Sequence, residues 1–482
     1  MLSTGVSGPA KLQAVTSLVN KLTEDLGSKS LSSEERDKAL EELKVYGRDP
    51  RNADPIFTKE GIETLTKHAF DSSSETTCRN ALRVLCNSML LKPETRQRFV
   101  DLGYESKACE KLKNDNWDDE FLATRVIFFS TYGTSIDLAK LIDEDHLADS
   151  IVNNLSRHAT RFSEHAKNKT KADPMEVMAL GETLRLLFNV TSKCPSKTDS
   201  FTAAVPHIVT LLLSLDIPPK GSPPLEAPLG PLVNAPMNLK LDDDEETRKC
   251  LYPKDAPSSL AQKLIKLLDL SLLSYQDQDL DATVTPLVCL IASMYEYAPT
   301  DDSPEVCDTI RKSLLPSEEE RTNVLGKGDT LPARLLVNMT NPIAPEFAKA
   351  VSHLLFNVSD KDAHKFVENI GYGYASGFLF QNNIPVPEGL GGGDDEKGQG
   401  SRAGQSSKRA VNPITGQFLD AETFPDMPEM TMEEKEREAE RLFVLFERAR
   451  KLGIVDVENP VAKAVQEGRF EELPDDYEED SN

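Results

Sequence analysis

Leu82-Arg-Val-Leu-Cys-Asn87 is the first copy of a short phrase that recurs along the chain. Each copy has an apolar middle and ends on a small polar residue, and later copies begin at Arg125, Leu184, Leu287 and His353. The ends of the first two copies, Asn87 and Ser130, lie 43 residues apart, within the armadillo/HEAT period of about 40–47 residues. The sequence therefore predicts an all-α, armadillo/HEAT-like, right-handed helical solenoid. Stacked repeats of this kind leave a long concave groove.

Apolar residues spaced by three and four positions extend this prediction over residues 1–380. One such series is Leu12, Val15, Leu18, Val19 and Leu22, which gives one apolar face on a helix. Runs that alternate with a period of two, as strands do, are nearly absent. Residues 218–257 hold nine of the 30 prolines and a run of five carboxylates at 242–246, so we expect a Pro-rich acidic insertion there. Within it, 229–241 is apolar enough to form a short, interrupted helix.

The composition changes after residue 380. Gly-rich stretches near 389–404 indicate a flexible linker over 381–430. Thr431 and Glu434 then form a capping box, which opens an amphipathic helix over 431–452. This helix is predicted to be detached from the solenoid. The last segment, 453–482, is an acidic tail with ten acids and two bases.

The charge and the absence of catalytic motifs exclude several functions. A net charge of −25 argues against nucleic-acid binding, which needs a basic face. No apolar run reaches the length of a membrane span, and the seven cysteines are scattered, so we expect a cytoplasmic protein without disulfides or an integral membrane segment. Phosphate-loop and nucleophile motifs are missing, the histidines have no ligand spacing, and 371–377 reads as a tight inter-helix turn. We therefore predict no metal, no cofactor and no enzymatic chemistry.

The polar positions of the phrase are the candidate binding residues. Asn87, Asn189 and Asn357 close their copies, and an amide side chain can both donate to and accept from the backbone of a bound peptide. Each could equally satisfy a carbonyl of the next repeat. Arginines four or five positions earlier, Arg83, Arg125 and Arg185, either place positive charge in the groove for a carboxylate or chain terminus, or only solvate the surface. The phenylalanines of the phrase are interpreted as core.

Five segments, taken together, resemble the synembryn family. They occur in the family's order at 79–90, 184–191, 370–379, 411–416 and 427–439. The Asn-Pro-x-Thr-Gly step at 411–416 and the Met-Thr-x-Glu-Glu-Lys helix start near 430 are specific in combination. The resemblance implies a cytosolic armadillo/HEAT-like protein that binds α subunits of heterotrimeric G proteins (Gα). Members of the synembryn family act as chaperones of nascent Gα and as non-receptor guanine-nucleotide exchange factors.

The resemblance also implies a mechanism and a set of residues. The groove takes the C-terminal helix of Gα, GDP leaves, and nucleotide-free Gα is held until GTP binds, in a 1:1 complex that could recruit the protein to the plasma membrane. The helix at 431–452 reaches the Ras-like domain of Gα, through Leu442, Phe443 and Phe446. The groove set, with those from the phrase, is Lys44, Arg48, Arg83, Asn87, Arg125, Arg185, Asn189, Asn234 and Asn357.

A generic armadillo adaptor that binds extended or helical peptides is the alternative. Import-type adaptors pair groove asparagines with tryptophans, and Trp117 is the only tryptophan in the chain. It lies in a polar, loop-like stretch, which counts against that alternative.

Overall fold

The all-α prediction is confirmed. The computed structural model describes residues 7–241, 245–298, 304–385, 409, 411–412 and 414–422. These residues form 22 α-helices and no β-strand, apart from one isolated bridge between Val411 and Phe418. The predicted helix at 431–452, with Leu442, Phe443 and Phe446, lies outside the described residues, as do the acidic tail and most of the predicted linker.

The helices are four to 22 residues long. In chain order they are α1 Gly8–Ser28, α2 Ser33–Tyr46, α3 Asp54–Phe57, α4 Lys59–Asp71, α5 Glu75–Leu91, α6 Glu94–Val100, α7 Glu105–Lys111, α8 Trp117–Ser130, α9 Leu138–Asp143, α10 Leu147–Asn168, α11 Pro174–Lys193, α12 Val205–Ser214, α13 Leu229–Asn234, α14 Glu245–Leu251, α15 Ser259–Ser274, α16 Asp277–Thr283, α17 Thr285–Glu296, α18 Pro304–Leu314, α19 Leu331–Asn338, α20 Pro345–Val358, α21 Ala363–Ile370 and α22 Tyr372–Gln381. Short 3₁₀ helices cover Pro195–Ala204, Ala235–Asn238, Glu320–Thr322 and Leu419–Ala421.

Side-chain caps explain where many of these helices begin. At α2, the Ser32 hydroxyl accepts from the Glu35 amide at 3.2 Å, and the Glu35 carboxylate accepts from the Ser32 amide at 3.0 Å. This reciprocal capping satisfies two amides that lack a partner within the helix. Asn116 and Asp173 accept from amides in the first turns of α8 and α11. These caps fix the start of two helices that carry the repeated phrase.

One row of helices, which we call the ladder, runs through the stack. Each member packs on the next in the order α2, α5, α8, α11, the segment 229–238, α17 and α20. The five copies of the phrase lie in α5, α8, α11, α17 and α20. The phrase therefore marks one equivalent helix per repeat, because its apolar middle must bury against both neighbouring repeats.

A second row of helices completes the core, with α10, α12, α15 and α18 each in contact with the next. Aromatic side chains such as Phe201 and Phe347 are fully buried in the core. Burying a side chain of this size stabilises a fold by roughly 1.5–3 kcal/mol. The ladder therefore rests on a continuous apolar core that holds its polar positions in place.

Residues 229–238, within the predicted Pro-rich acidic insertion at 218–257, pack into the stack. The predicted short, interrupted helix forms as α13 and the following 3₁₀ turn, which pack between α11 and α17. Leu232 and Val233 are fully buried there. Pro236 lies in the first turn of the 3₁₀ helix, where a missing amide hydrogen costs no hydrogen bond. The prolines therefore shorten the helix at this position of the ladder, but the segment still packs between α11 and α17.

Two further details differ from the sequence prediction. The turn expected over 371–377 is confined to Gly371, which has φ +80°, and helix α22 begins at Tyr372. Part of the predicted linker over 381–430 is also packed. The described residues from 411 to 421, which we call the strap, bury the Phe418 side chain to 4% exposure. Phe418 is therefore packed, although it lies in the segment for which the glycine-rich composition predicted a flexible linker.

Candidate functional site

The predicted groove residues follow the ladder from one end to the other. Lys44 lies in α2 and Arg48 two residues beyond its end, while α5 carries Arg83 and Asn87. The remaining members lie further along, with Arg125 in α8, Arg185 and Asn189 in α11, Asn234 in α13 and Asn357 in α20. The structure thus places all nine on or beside one row of helices, although it brings only some of them together.

Arg125 and Arg185 meet at a shared carboxylate. Glu182 accepts from Arg125 Nη1 at 2.9 Å and from Arg185 Nη1 at 3.0 Å, and it is only 5% exposed. The Arg125 guanidinium also lies 5.4 Å from the ring centre of Phe121, a cation–π distance. Two positive charges share one negative charge here, so the group keeps a net positive charge at the junction of α8 and α11.

Arg83 is held at the preceding junction, between α5 and α8. Its Nη2 donates to Asp118 at 2.5 Å, and one turn away Arg79 binds Asp119 at 2.8 Å. Burial raises the pKa of Asp119, but the hydrogen bond and charge of Arg79 outweigh it, so this pKa lies below its usual value. Arg83 and Arg125 therefore join successive helices of the ladder, and they also carry positive charge to its surface.

The asparagines fall into two groups. Asn189 is buried, donates to Thr131 Oγ1 at 2.9 Å and accepts from the Tyr132 hydroxyl at 3.2 Å. Its amide is thus used to join two repeats. Asn87, Asn234 and Asn357 are half-buried, and their side chains have no hydrogen-bond partner within the part of the chain that the structure describes. These three amides remain available to a ligand.

A central cleft brings Arg185, Asn189 and Asn234 to one place. It is open, has a volume of about 360 Å³, and lies where α8, α11 and α13 meet. Its apolar walls include Phe128 and Phe188. Phe129 is buried, as the interpretation of the phenylalanines as core expects. Phe128, Phe188 and Phe356 are half-buried, and Phe128 and Phe356 pack against the core.

Tyr132 is a cleft residue that the sequence analysis missed. Its ring is 40% exposed and stands edge-on to Phe128 at 5.3 Å. The signal was present, because position 132 lies one helical turn beyond position 128 and continues the same face. Together these side chains offer aromatic surface, one cation and one free amide, which suits the apolar face of an amphipathic helix.

The α2 end of the ladder is basic. Lys11 is 7% exposed and donates from Nζ to the carbonyls of Asp49 at 2.7 Å and Arg51 at 2.8 Å. It lines one cleft with Arg48 and Arg51. Hydrogen bonds from Arg51 lower the pKa of Asp49 to about 2. Sequence reasoning missed Lys11, because its partners are about forty positions away and follow no pattern.

Asn357 lies apart from the central cleft. It lines a different depression with Tyr295, Arg311 and Asp360. Trp117, the residue on which the adaptor alternative depends, starts α8 and is covered by the Arg161 guanidinium at 5.3 Å. It offers no free aromatic platform of the kind that import-type grooves use.

The described residues hold no group of three His, Cys, Asp or Glu side chains placed to bind a metal ion. No helix within the described ranges is long and apolar enough to cross a membrane. The chemistry that the ladder does offer consists of cations, amides and aromatic rings, arranged for binding.

Comparison with known proteins identifies the family. The family model described as guanine nucleotide exchange factor synembryn matches residues 39–469. This chain belongs to the synembryn family.

Relatives of this synembryn-family chain are named as chaperones. Chaperone Ric-8A of Gallus gallus is 25% identical over 85% of this chain and 80% of its own length. The Xenopus tropicalis protein of the same name is 24% identical over 90% and 84%. A synembryn-like chaperone of Schizosaccharomyces pombe is 29% identical, over 39% of this chain and 35% of its own. Among solved structures, an engineered protein matches 58% of this chain with 18% identity and a TM-score of 0.38.

Proposed function

We propose that this protein binds Gα subunits and acts on them as a folding chaperone and as a non-receptor guanine-nucleotide exchange factor. The ladder captures the C-terminal helix of Gα, and the complex stabilises the nucleotide-free state. The observation that carries the proposal is the central cleft in a chain of this family. There the aromatic side chains Phe128, Tyr132 and Phe188, with Arg185 and the free amide of Asn234, line one cleft on the ladder.

The chemistry of the ladder supports a helical ligand. An amphipathic helix docks by placing its apolar face into a groove, with anchors spaced by three and four residues. Phe128, Tyr132 and Phe188 would receive those anchors, and the amides would bind polar groups at the edge. The basic end near Lys44 and Arg48 suits a carboxylate or the end of a chain, because the carboxyl end of a helix carries partial negative charge.

Capture of that helix would act on the nucleotide through differential binding. A ligand shifts an equilibrium only by its difference in affinity for the two states. Here the displaced C-terminal helix is available to the ladder only in the nucleotide-free state, so binding favours release of GDP. We propose that 431–452 contacts the Ras-like domain through Leu442, Phe443 and Phe446. No covalent bond is made or broken, and the protein works in the cytoplasm as a monomer that forms a 1:1 complex.

Release of fluorescent GDP from a purified Gα subunit tests this proposal. We expect the full chain to accelerate release, and Arg185→Glu to reduce the acceleration about tenfold, since one hot-spot contact is worth 1–2 kcal/mol or more. Lys312→Glu is the matched control, because Lys312 is exposed and lies in α18, outside the ladder. Unchanged release with the wild-type chain would refute the exchange activity. Equal effects of the two substitutions would refute the ladder as its site.

Deletion of residues 431–482 separates the two halves of the mechanism. The truncated chain should still bind a peptide of the Gα C-terminal helix but should lose most of its effect on GDP release. Retention of full exchange activity would show that the C-terminal segment has no part in it.

A further inference from the structure

Tyr132, in the central cleft, has two cationic side chains beside its ring. The Lys193 ammonium lies 5.2 Å from the ring centre, and the Arg96 guanidinium lies 6.0 Å from it, which are cation–π distances. The Tyr132 hydroxyl donates to Asn189 Oδ1 at 3.2 Å, and this hydrogen bond fixes the ring in place. Two cations, which repel each other, are therefore gathered at one ring of fixed position.

The Arg96 guanidinium is oriented by its own contacts. Its Nε donates to the Met89 carbonyl at 2.8 Å, and the group also lies 5.7 Å from the ring centre of Phe129. The two Nη atoms have no hydrogen-bond partner within the part of the chain that the structure describes. A guanidinium held in this way offers a planar fork that matches the two oxygens of a carboxylate.

The charges around Tyr132 are not balanced. Neither Arg96 nor Lys193 forms an ion pair with any carboxylate among the described residues. Arg125 and Arg185, next to them on the ladder, share the single carboxylate of Glu182. Four cations and one carboxylate leave an excess of three positive charges here, although the chain as a whole carries a net charge of −25. An anionic group on a ligand would offset this excess.

The neighbouring apolar wall indicates what kind of ligand carries that group. Phe128 stands edge-on to Tyr132 at 5.3 Å, and Phe188 lines the same cleft. A ligand that fills the cleft therefore meets aromatic surface and positive charge side by side. An amphipathic helix with a carboxylate one turn away from an apolar anchor has both features at this spacing, because residues three and four apart share one face.

We propose that Arg96, Tyr132 and Lys193 form an anion subsite of the central cleft, which binds a carboxylate of the helical peptide held there. The subsite lies where α6, α8 and α11 end or meet, apart from Lys44 and Arg48 at the α2 end of the ladder. This inference rests on the proposed function and deepens it, since it adds a charge requirement to peptide recognition. Because the guanidinium is already oriented, little side-chain entropy is lost on binding.

Binding of a fluorescent peptide of the Gα C-terminal helix to the full chain tests the subsite. The peptide is compared with one whose Asp and Glu side chains are changed to Asn and Gln, one with an amidated C-terminus, and one with both changes. Arg96→Gln should weaken binding of the unmodified peptide about tenfold, and Lys193→Gln about threefold, since its side chain is exposed and an exposed pair is weaker. Both variants should bind the doubly changed peptide as tightly as the wild-type chain does.

Lys167→Gln is the matched control, because Lys167 is exposed and lies in α10, outside the ladder. It removes the same formal charge and should leave every affinity unchanged. The singly changed peptide that loses its sensitivity to Arg96→Gln identifies the bound carboxylate as that of a side chain or of the chain terminus. Equal weakening of the unmodified and the doubly changed peptide by Arg96→Gln would overturn the inference, as would equal effects of Lys193→Gln and Lys167→Gln.

Two further controls keep the result decisive. Arg96→Gln also removes the hydrogen bond to the Met89 carbonyl, so its thermal midpoint is compared with that of the wild-type chain. Lys193→Gln changes an exposed side chain and carries the test if Arg96→Gln does not fold. A wild-type chain that fails to bind the unmodified peptide would refute the proposed function, and this inference with it. Binding that does not respond to the peptide's carboxylates would refute the anion subsite alone.

Discussion

The first and last parts of the ladder share one apolar phrase but differ at its polar positions. In α5, α8 and α11 an arginine precedes the end of each copy. Arg83 and Arg125 join neighbouring helices through Asp118 and Glu182, and Arg185 binds Glu182 within α11. The copy in α17 has no arginine, and His353 takes its place in α20, where it packs edge-on to Phe378 at 4.9 Å. In this last part, the buried Arg321 of the 3₁₀ helix Glu320–Thr322 donates to the carbonyls of Glu368, Asn369 and Gly416, and so binds the strap. The apolar middle of the phrase fixes the stacking, while its polar positions determine what each part of the stack holds.

Loss of Arg321, which binds the strap, should have the largest effect on stability. Arg321→Met leaves three buried carbonyls without a donor, so we expect the free energy of unfolding to fall by about 3 kcal/mol or more. Urea denaturation followed by circular dichroism measures it. Arg51→Met, at a side chain that is 85% exposed, should leave the transition unchanged. A shift of similar size in both variants would show that burial of Arg321 does not matter.

Glu182→Gln tests the first part of the ladder. It removes the charge that Arg125 and Arg185 share, so the free energy of unfolding should fall by about 1–2 kcal/mol. The same substitution leaves two arginines with less neutralisation, and binding of an anionic helical peptide should become several-fold tighter. Glu60→Gln, on the exposed face of α4, should change neither quantity. Weaker peptide binding by Glu182→Gln would mean that Glu182, and not the arginines, contacts the ligand.

Asn234 and Asn238, both in the ladder segment 229–238, allow ligand binding to be tested separately from folding. The Asn234 side chain faces the central cleft, whereas Asn238 donates to the Phe188 carbonyl at 3.3 Å and to Thr191 Oγ1 at 3.2 Å. Asn234→Ala should weaken binding of the Gα helix peptide about fivefold, equivalent to about 1 kcal/mol, with the unfolding transition unchanged. Asn238→Ala should instead lower the thermal midpoint. The reverse assignment would remove Asn234 from the site.

Acid should weaken the ion-paired part of the ladder first. The pKa of Asp119 is lower in the folded state than its usual value because of Arg79. Its contribution to stability is therefore present at neutral pH and is lost as the pH falls below about 4. The thermal midpoints of wild type and Asp119→Asn should differ at pH 7, and the difference should shrink as the pH falls below about 4. A constant difference across this range would show that the Asp119 charge contributes nothing.

The sequence predicted the helices and the ladder because both follow from local apolar spacing. The phrase at Leu82–Asn87 identifies one buried face, and stacking along that face is the main way to bury it. The partners of the arginines could not be read in the same way, since Arg125 and Glu182 are 57 positions apart. The strap escaped detection because its packing depends on backbone approach at Gly371 and Gly416, which no periodicity records. Asn189 could not be distinguished in advance from the free amides of Asn87 and Asn234, because its partners Thr131 and Tyr132 are also distant in sequence.

Titration of the full chain into a fluorescent peptide of the Gα C-terminal helix tests the central claim most directly. We expect saturable binding that the unlabelled peptide displaces and a basic import-signal peptide does not. Arg185→Glu should weaken it about tenfold, or about 1.4 kcal/mol, while Lys312→Glu leaves it unchanged. Equal binding of the two peptides, or equal affinities of the two variants, would contradict capture of the Gα helix by the ladder.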